Sequence, residues 1–160
     1  MPNLKNKKLF IGILVFCLFA LSFAYFVEFI LNHKPCNLCL FQRVPYLAGL
    51  ILISLMLFLN AYEKIISFIL IFLFTAGFLV SFYHFGIEQG FFNESFVCNL
   101  TNTGEIQDAK QLLKKLNDLP VSCKNVTFRA LGVSLATINT IISLALTVII
   151  LKKVIINEKN

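Results

Sequence analysis

Tryptophan is absent from this chain and charge is scarce: Asp and Glu number only 8, and charged residues of both signs make up 14%. That share is roughly half of what a soluble domain carries. With 58% hydrophobic residues in 160 and a mean hydropathy of +0.83, the apolar side chains outnumber what a core of this size can enclose. A lipid bilayer must take part. The shortage of acidic residues leaves a formal charge of +6, which is not a nucleic-acid signature. Most of the excess sits in Lys5, Lys7 and Lys8 at the start and Lys152, Lys153 and Lys159 at the end, where it marks membrane topology. Without tryptophan, any aromatic belt falls to Phe and Tyr. No internal repeat or low-complexity tract is evident, and the length allows a single membrane domain over 1–160.

The apolar runs predict an all-α integral membrane fold, a four-helix transmembrane bundle. Its spans lie at about 9–31, 44–62, 65–86 and 131–151. The start also has the look of a signal peptide, with Ser22 and Ala24 as small residues for cleavage. The apolar stretch runs on to Leu31, longer than a typical signal core, and favours an uncleaved anchor. The positive-inside rule puts both lysine tails and the Tyr62-Glu63-Lys64 turn in the cytoplasm. Loops 32–43 and 88–130 are then external. The long loop is charge-balanced. Within it, Ile106, Ala109, Leu112, Leu113 and Leu116 recur at helical spacing, which predicts a short amphipathic helix from Glu105 to Asp118, ended by Pro120. The fourth span carries Thr137, Asn139, Thr140, Ser143 and Thr147 on one broad face, which reads as interhelical packing and is assigned no chemistry.

Of five cysteines, Cys17 lies inside the first span and reads as a small apolar filler. Cys36, Cys39, Cys98 and Cys123 all fall in the external loops, in the compartment where disulfides persist. Cys36 and Cys39, in Pro35-Cys36-Asn37-Leu38-Cys39, have the spacing of a small, reducible disulfide. Pro35 disfavours helix just before the motif, so a helix start there would lower a thiol pKa. Arg43, four residues beyond Cys39, would share its helical face, favour a Cys39 thiolate and offer donors to a carbonyl oxygen of an electron acceptor, or would simply snorkel to lipid phosphate. Pro45 disturbs that first turn. His84, beside Tyr83 near the outer end of the third span, is an ionisable group at the membrane edge that suits proton exchange with a quinone, or simply hydration. Glu28 reads as facing lipid headgroups.

Other chemistries fit less well. A c-type haem needs His after the second cysteine, and Leu40 stands there. A zinc knuckle needs a second close ligand pair, and Cys98 and Cys123 are far apart in sequence, so only all four cysteines together would make a site; no metal is expected. Cys98 and Cys123 can serve as a structural staple, or as a second redox pair that exchanges with the first through a mixed disulfide.

Lys34-Pro35-Cys36-Asn37-Leu38-Cys39-Leu40-Phe41-Gln42-Arg43 resembles the signature of the bacterial DsbB family. Phe82-Tyr83-His84-Phe85-Gly86-Ile87-Glu88 is similar to that family's segment closing the third span. Pro120-Val121-Ser122-Cys123 with Leu131-Gly132-Val133-Ser134-Leu135-Ala136 and Asn139 resembles its approach to the fourth. The resemblance implies an inner-membrane quinone reductase, using ubiquinone or menaquinone, that keeps a periplasmic DsbA-like thiol oxidase oxidised. Both termini would be cytoplasmic and the cysteines periplasmic. It further implies that Cys98 forms the mixed disulfide with the oxidase, that Cys123 attacks Cys36, and that Cys39 is released as the thiolate facing the quinone. Arg43 would bind the quinone carbonyl with His84 nearby. Some members carry Trp where this chain has Phe128. Two readings compete: a non-enzymatic assembly or metal-handling protein with stapled or zinc-bound loop cysteines, and a four-span reductase of the vitamin K epoxide type. The position of the CxxC between the first two spans favours DsbB over the latter.

Overall fold

The computed structural model describes residues 4–59, 62–93, 98, 123, 124, 129, 130 and 132–159. Helix α1 runs Leu4–Phe29, α2 Asn37–Phe41, α3 Val44–Leu59, α4 Glu63–Glu88 and α5 Leu135–Lys159. Strands β1 (Arg129–Ala130) and β2 (Val133–Ser134) precede α5. Four helical stretches are long and apolar enough to cross a membrane, so the chain is a transmembrane helical bundle. The expected amphipathic helix over Glu105 to Asp118 lies outside the described residues.

The polarity of the bundle suits a lipid solvent. Leu18, Phe19, Phe58, Phe72 and Ile141 lie more than half exposed on the outer faces, where hydrocarbon must cover them. Inside, Phe10, Ile13 and Cys17 of α1 meet Tyr46, Ile53 and Met56 of α3, Leu70 and Phe74 of α4, and Leu146 and Ile150 of α5. Apolar burial drives association weakly when lipid is the alternative, so small residues matter. A Cβ on Gly49 would sit 3.3 Å from the Phe74 ring and 3.7 Å from Cys17 Sγ. One on Gly77 would sit 3.0 Å from Cγ of Pro45 and 3.7 Å from Ser143 Oγ. The second contact draws α3, α4 and α5 together against a proline ring that cannot rotate away. Gly77→Ala is therefore expected to destabilise the bundle by about 1–2 kcal/mol, read as an earlier midpoint in detergent-induced unfolding; an unchanged midpoint would mean that this contact has slack.

Two boundaries differ from the sequence expectation for local reasons. The fourth apolar run begins at Leu131, but Gly132 adopts φ +83° between the two strands, which pair antiparallel as Arg129 with Ser134 and Ala130 with Val133. The helix starts only at Leu135, capped by Ser134, whose Oγ accepts from the Thr137 amide at 3.2 Å. The CxxC helix is likewise set off from α3 by a turn, within the apolar stretch Asn37–Leu59. Helix α2 ends at Phe41, Gln42 and Arg43 form a turn, and α3 restarts with Pro45 in its first turn, where a missing N–H costs nothing.

Candidate active site

Cys36 is extended and caps α2: its Sγ accepts the Cys39 backbone N–H at 3.3 Å. This is the helix start expected of the Pro35-Cys36 step. The Cys36 and Cys39 sulfurs lie 2.9 Å apart, within hydrogen-bond reach, and His84 Nε2 of α4 lies 3.6 Å from Cys36 Sγ. The Cys39 amide, the Cys39 sulfur and the His84 ring thus converge on Cys36, which lies outside the spans. The Cys39 thiol first, then His84, against the opposing effect of burial, draw the Cys36 thiol down to about 4. Stabilised thiolate character therefore belongs to Cys36 in this state, rather than to Cys39 as the spacing to Arg43 suggested.

A thiol whose pKa falls from about 9 to about 4 is ionised everywhere above that lower value. Alkylation of Cys36 in the reduced protein by a small haloacetamide is expected to stay nearly flat from pH 8 to pH 5.5. It should fall about tenfold per pH unit only below pH 4. A tenfold loss per unit already setting in below pH 8, located at Cys36 by mass spectrometry, would remove this assignment.

Arg43 does not share a helical face with Cys39, because α2 has ended. Its guanidinium turns to α1, where Nη1 donates to Glu28 Oε2 and the charge stacks 4.9 Å from the centre of the Tyr25 ring. Glu28 therefore faces a partner across the bundle and not headgroups. Arg43 still borders the same cavity as Cys36, Cys39 and His84.

Cys98 and Cys123 form a disulfide with Cα atoms 5.8 Å apart, whereas Cys17, Cys36 and Cys39 are free thiols. The disulfide packs with Cys36, Leu38 and Ile87 in one small buried cluster, flanked by Cys39, Val80 and Tyr83. All four loop cysteines therefore gather at one end of the bundle. Cys36, Cys39 and His84 also present ligand atoms within 4.8 Å of one another. The two sulfurs, however, are closer than the roughly 3.7 Å that two zinc–sulfur bonds of about 2.3 Å at a tetrahedral angle would set. The spacing suits a thiol–thiolate pair.

Beneath the cysteines lies a cavity of about 390 Å³, within the range of small-molecule sites. Its walls are apolar, from Phe16, Phe19 and Phe23 of α1 and Leu135, Ile138 and Ile142 of α5. Its polar groups include Arg43, Gln42, His84 and Asn139, next to Cys36 and Cys39. The residues present fit a quinone: an apolar chamber for a ring and its tail, closed by hydrogen-bond donors beside two thiols.

Sequence reasoning missed Gln42 and Asn139. Gln42 is 7% exposed; its Nε2 lies 2.9 Å from His84 Nδ1, and its Oε1 accepts from Asn139 Nδ2 at 2.9 Å. Tyr46 donates to Asn139 Oδ1 and lies 3.4 Å from Ser143 Oγ. The polar face of the fourth span was visible, and part of it is packing as expected. Thr140 and Thr147 satisfy themselves on Ala136 and Ser143 carbonyls of their own helix. Asn139 does not, and an amide inside an apolar span is the signal that sets it apart.

A helical membrane bundle holding a thiol pair and a disulfide at one end of an apolar chamber is a membrane-embedded thiol–disulfide protein. Comparison with known families narrows this. Residues 6–152 match the family described as disulfide bond formation protein DsbB, and the chain belongs to that family. It is similar to the uncharacterized protein RP370 of Rickettsia prowazekii (strain Madrid E), at 30% identity over 90% of this chain and 85% of that one. Membership assigns the chain to disulfide bond formation and, with its four membrane-spanning helices, to the inner membrane.

Proposed function

We propose that the protein is a quinone-dependent protein-disulfide oxidoreductase that reoxidises a periplasmic thiol oxidase of the DsbA type. The observation that carries the reading is the meeting of the Cys98–Cys123 disulfide, the Cys36–Cys39 thiols and the donors Arg43 and His84 at the head of one apolar cavity. Thiol exchange alone only moves a disulfide from place to place; making new ones needs a two-electron sink. A bound quinone supplies that sink, taking two electrons and two protons as two thiols become a disulfide.

The chain's own residues account for the rest. A reduced partner attacks the Cys98–Cys123 disulfide through Cys98 and leaves with a disulfide, so that Cys98 and Cys123 become thiols. Cys123 then attacks the oxidised form of the Cys36–Cys39 pair at Cys36, expelling the Cys39 thiolate toward the cavity. Closure of Cys98 on Cys123 returns Cys36 as a thiolate, held by the Cys39 amide and His84. The electron pair now resides on Cys36 and Cys39, which is the distribution of thiols and disulfide seen in the structure. Arg43 would hold an acceptor carbonyl oxygen with His84 nearby, and Glu28 and Tyr25 keep the guanidinium at the cavity. With the lysine tails in the cytoplasm, the site faces the periplasm.

Arg43→Ala is expected to raise the KM for quinone about tenfold or more with a smaller fall in kcat, and Arg43→Lys to recover only part of it, since a planar fork is lost. An unchanged KM in both variants would remove Arg43 from the binding site. The partner assignment is tested by trapping. A periplasmic thioredoxin-fold oxidase of the DsbA type whose second active-site cysteine is replaced by Ala should attack the Cys98–Cys123 disulfide at Cys98, release Cys123 as a thiol and stay bound as a mixed disulfide. Capture of no such protein, with Cys98 demonstrably reactive, would contradict that part of the reading.

A further inference from the structure

We infer that Gln42 and Asn139 are positioning residues that hold His84 as a neutral ring with its single proton on Nε2, directed at the Cys36 sulfur. The consequence for catalysis rests on the redox reading above; the proton placement itself does not.

One largely buried chain of polar groups links four parts of the fold. His84 is 3% exposed on α4, Gln42 lies in the turn after α2, Tyr46 is on α3, and Asn139 and Ser143 are on α5. On the Nε2 side of the ring stand acceptors: Cys36 Sγ at 3.6 Å and Glu88 Oε1 at 3.7 Å. A thiolate and a carboxylate both require a proton on that nitrogen. On the Nδ1 side stands Gln42 Nε2 at 2.9 Å, which can only donate. Nδ1 must then be bare and accepting, because a proton there would face an amide N–H₂.

The rest of the chain couples the orientation of the Gln42 amide to that of Asn139. Its Oε1 accepts from Asn139 Nδ2, and Asn139 Oδ1 in turn accepts from the Tyr46 hydroxyl. Reversing Gln42 would set two oxygens against each other unless Asn139 reversed as well. That would carry the Asn139 amide nitrogen to the phenol oxygen and set Gln42 Oε1 against Nδ1, an arrangement that calls for a second proton on the ring. Every link donates in the same sense, from Tyr46 through Asn139 and Gln42 to His84 and on to Cys36. Buried and mutually satisfied, such a network is costly to break at any member.

The arrangement gives His84 one job at the thiol pair, that of a hydrogen-bond donor. The ring steadies a thiolate at Cys36 and keeps a proton beside the cavity. Gln42 Nε2 stands where a second proton on Nδ1 would point. Gln42→Glu changes this single property: a carboxylate accepts from Nδ1–H and invites the second proton.

Nitrogen NMR of the full-length, reduced protein in lipid nanodiscs at pH 7, labelled with ¹⁵N-histidine, reads the proton directly. The chain has two histidines, and His33→Gln identifies the signals of His84. The expected wild-type spectrum has one protonated nitrogen, Nε2, and one bare nitrogen, Nδ1. Gln42→Glu should protonate both, and Asn139→Leu should replace the fixed pattern by averaging between tautomers. A wild-type ring protonated on Nδ1, or on both nitrogens, overturns the inference, as does an Asn139→Leu spectrum identical to wild type. The wild-type spectrum decides the matter even if a variant fails to fold. It needs neither quinone nor partner, so its failure leaves the redox reading standing, and failure of the redox reading leaves the tautomer measurable.

Discussion

Replacing Cys39 with Ser should reduce quinone-dependent oxidation of a dithiol partner by about a thousandfold or more, as expected when a covalent redox group is removed. The electron pair must leave from two sulfurs that close into a disulfide, and serine cannot supply the second. The hydroxyl can still donate to Cys36, at a site where the sulfurs are 2.9 Å apart, so the local fold should persist. That separates loss of chemistry from loss of structure: helix content and the Cys98–Cys123 disulfide should match wild type while turnover disappears. If the variant kept even a tenth of the normal rate, electrons would have to reach the acceptor by a route that bypasses this pair.

The second large effect is a split between substrates. Removing the loop pair with Cys98→Ala and Cys123→Ala should cost about a hundredfold or more in activity with a protein dithiol, yet leave oxidation of dithiothreitol within about threefold of normal. A protein partner needs an accessible disulfide to attack, and the relay through a mixed disulfide supplies it. A small dithiol can enter the cavity end and reduce the Cys36–Cys39 pair itself. Equal losses with both reductants would mean that the Cys98–Cys123 disulfide is a staple holding the loop, as one of the sequence readings had it.

Much of this was legible because membrane chains write their architecture plainly. Four apolar runs separated by polar turns can do little else in a bilayer, and α1, α3, α4 and α5 fall on them. The thiol pair was legible too, since Pro35 followed by Cys36 and Cys39 sets both a helix start and a short loop. His84 could be singled out as a titratable residue at a span end. What could not be read were partners far apart in sequence. Glu28 meets Arg43 only because the chain breaks at Gln42 and Arg43, and helical spacing from Cys39 pointed elsewhere. Gln42 meets Asn139 across 97 residues, through a turn whose direction depends on α5 packing against α4. The delayed start of α5 likewise depended on a strand pair that an apolar run conceals.

The same contrast explains where the function is most exposed to test. Burial of Cys36 opposes its ionisation, and two neighbours reverse the outcome. Those neighbours, Cys39 and His84, also line the apolar cavity. In the proposed reaction, the side chains that tune the thiolate are then also those beside the acceptor's cavity.

The most direct measurement uses the fully reduced Cys98→Ala, Cys123→Ala protein in lipid nanodiscs, without oxygen, given a slight excess of quinone. One quinone should be reduced per chain, with the loss of two thiols and the appearance of a Cys36–Cys39 disulfide. If both thiols persist in the presence of quinone and close only when oxygen is admitted, the bundle does not pass electrons to a quinone and the account fails.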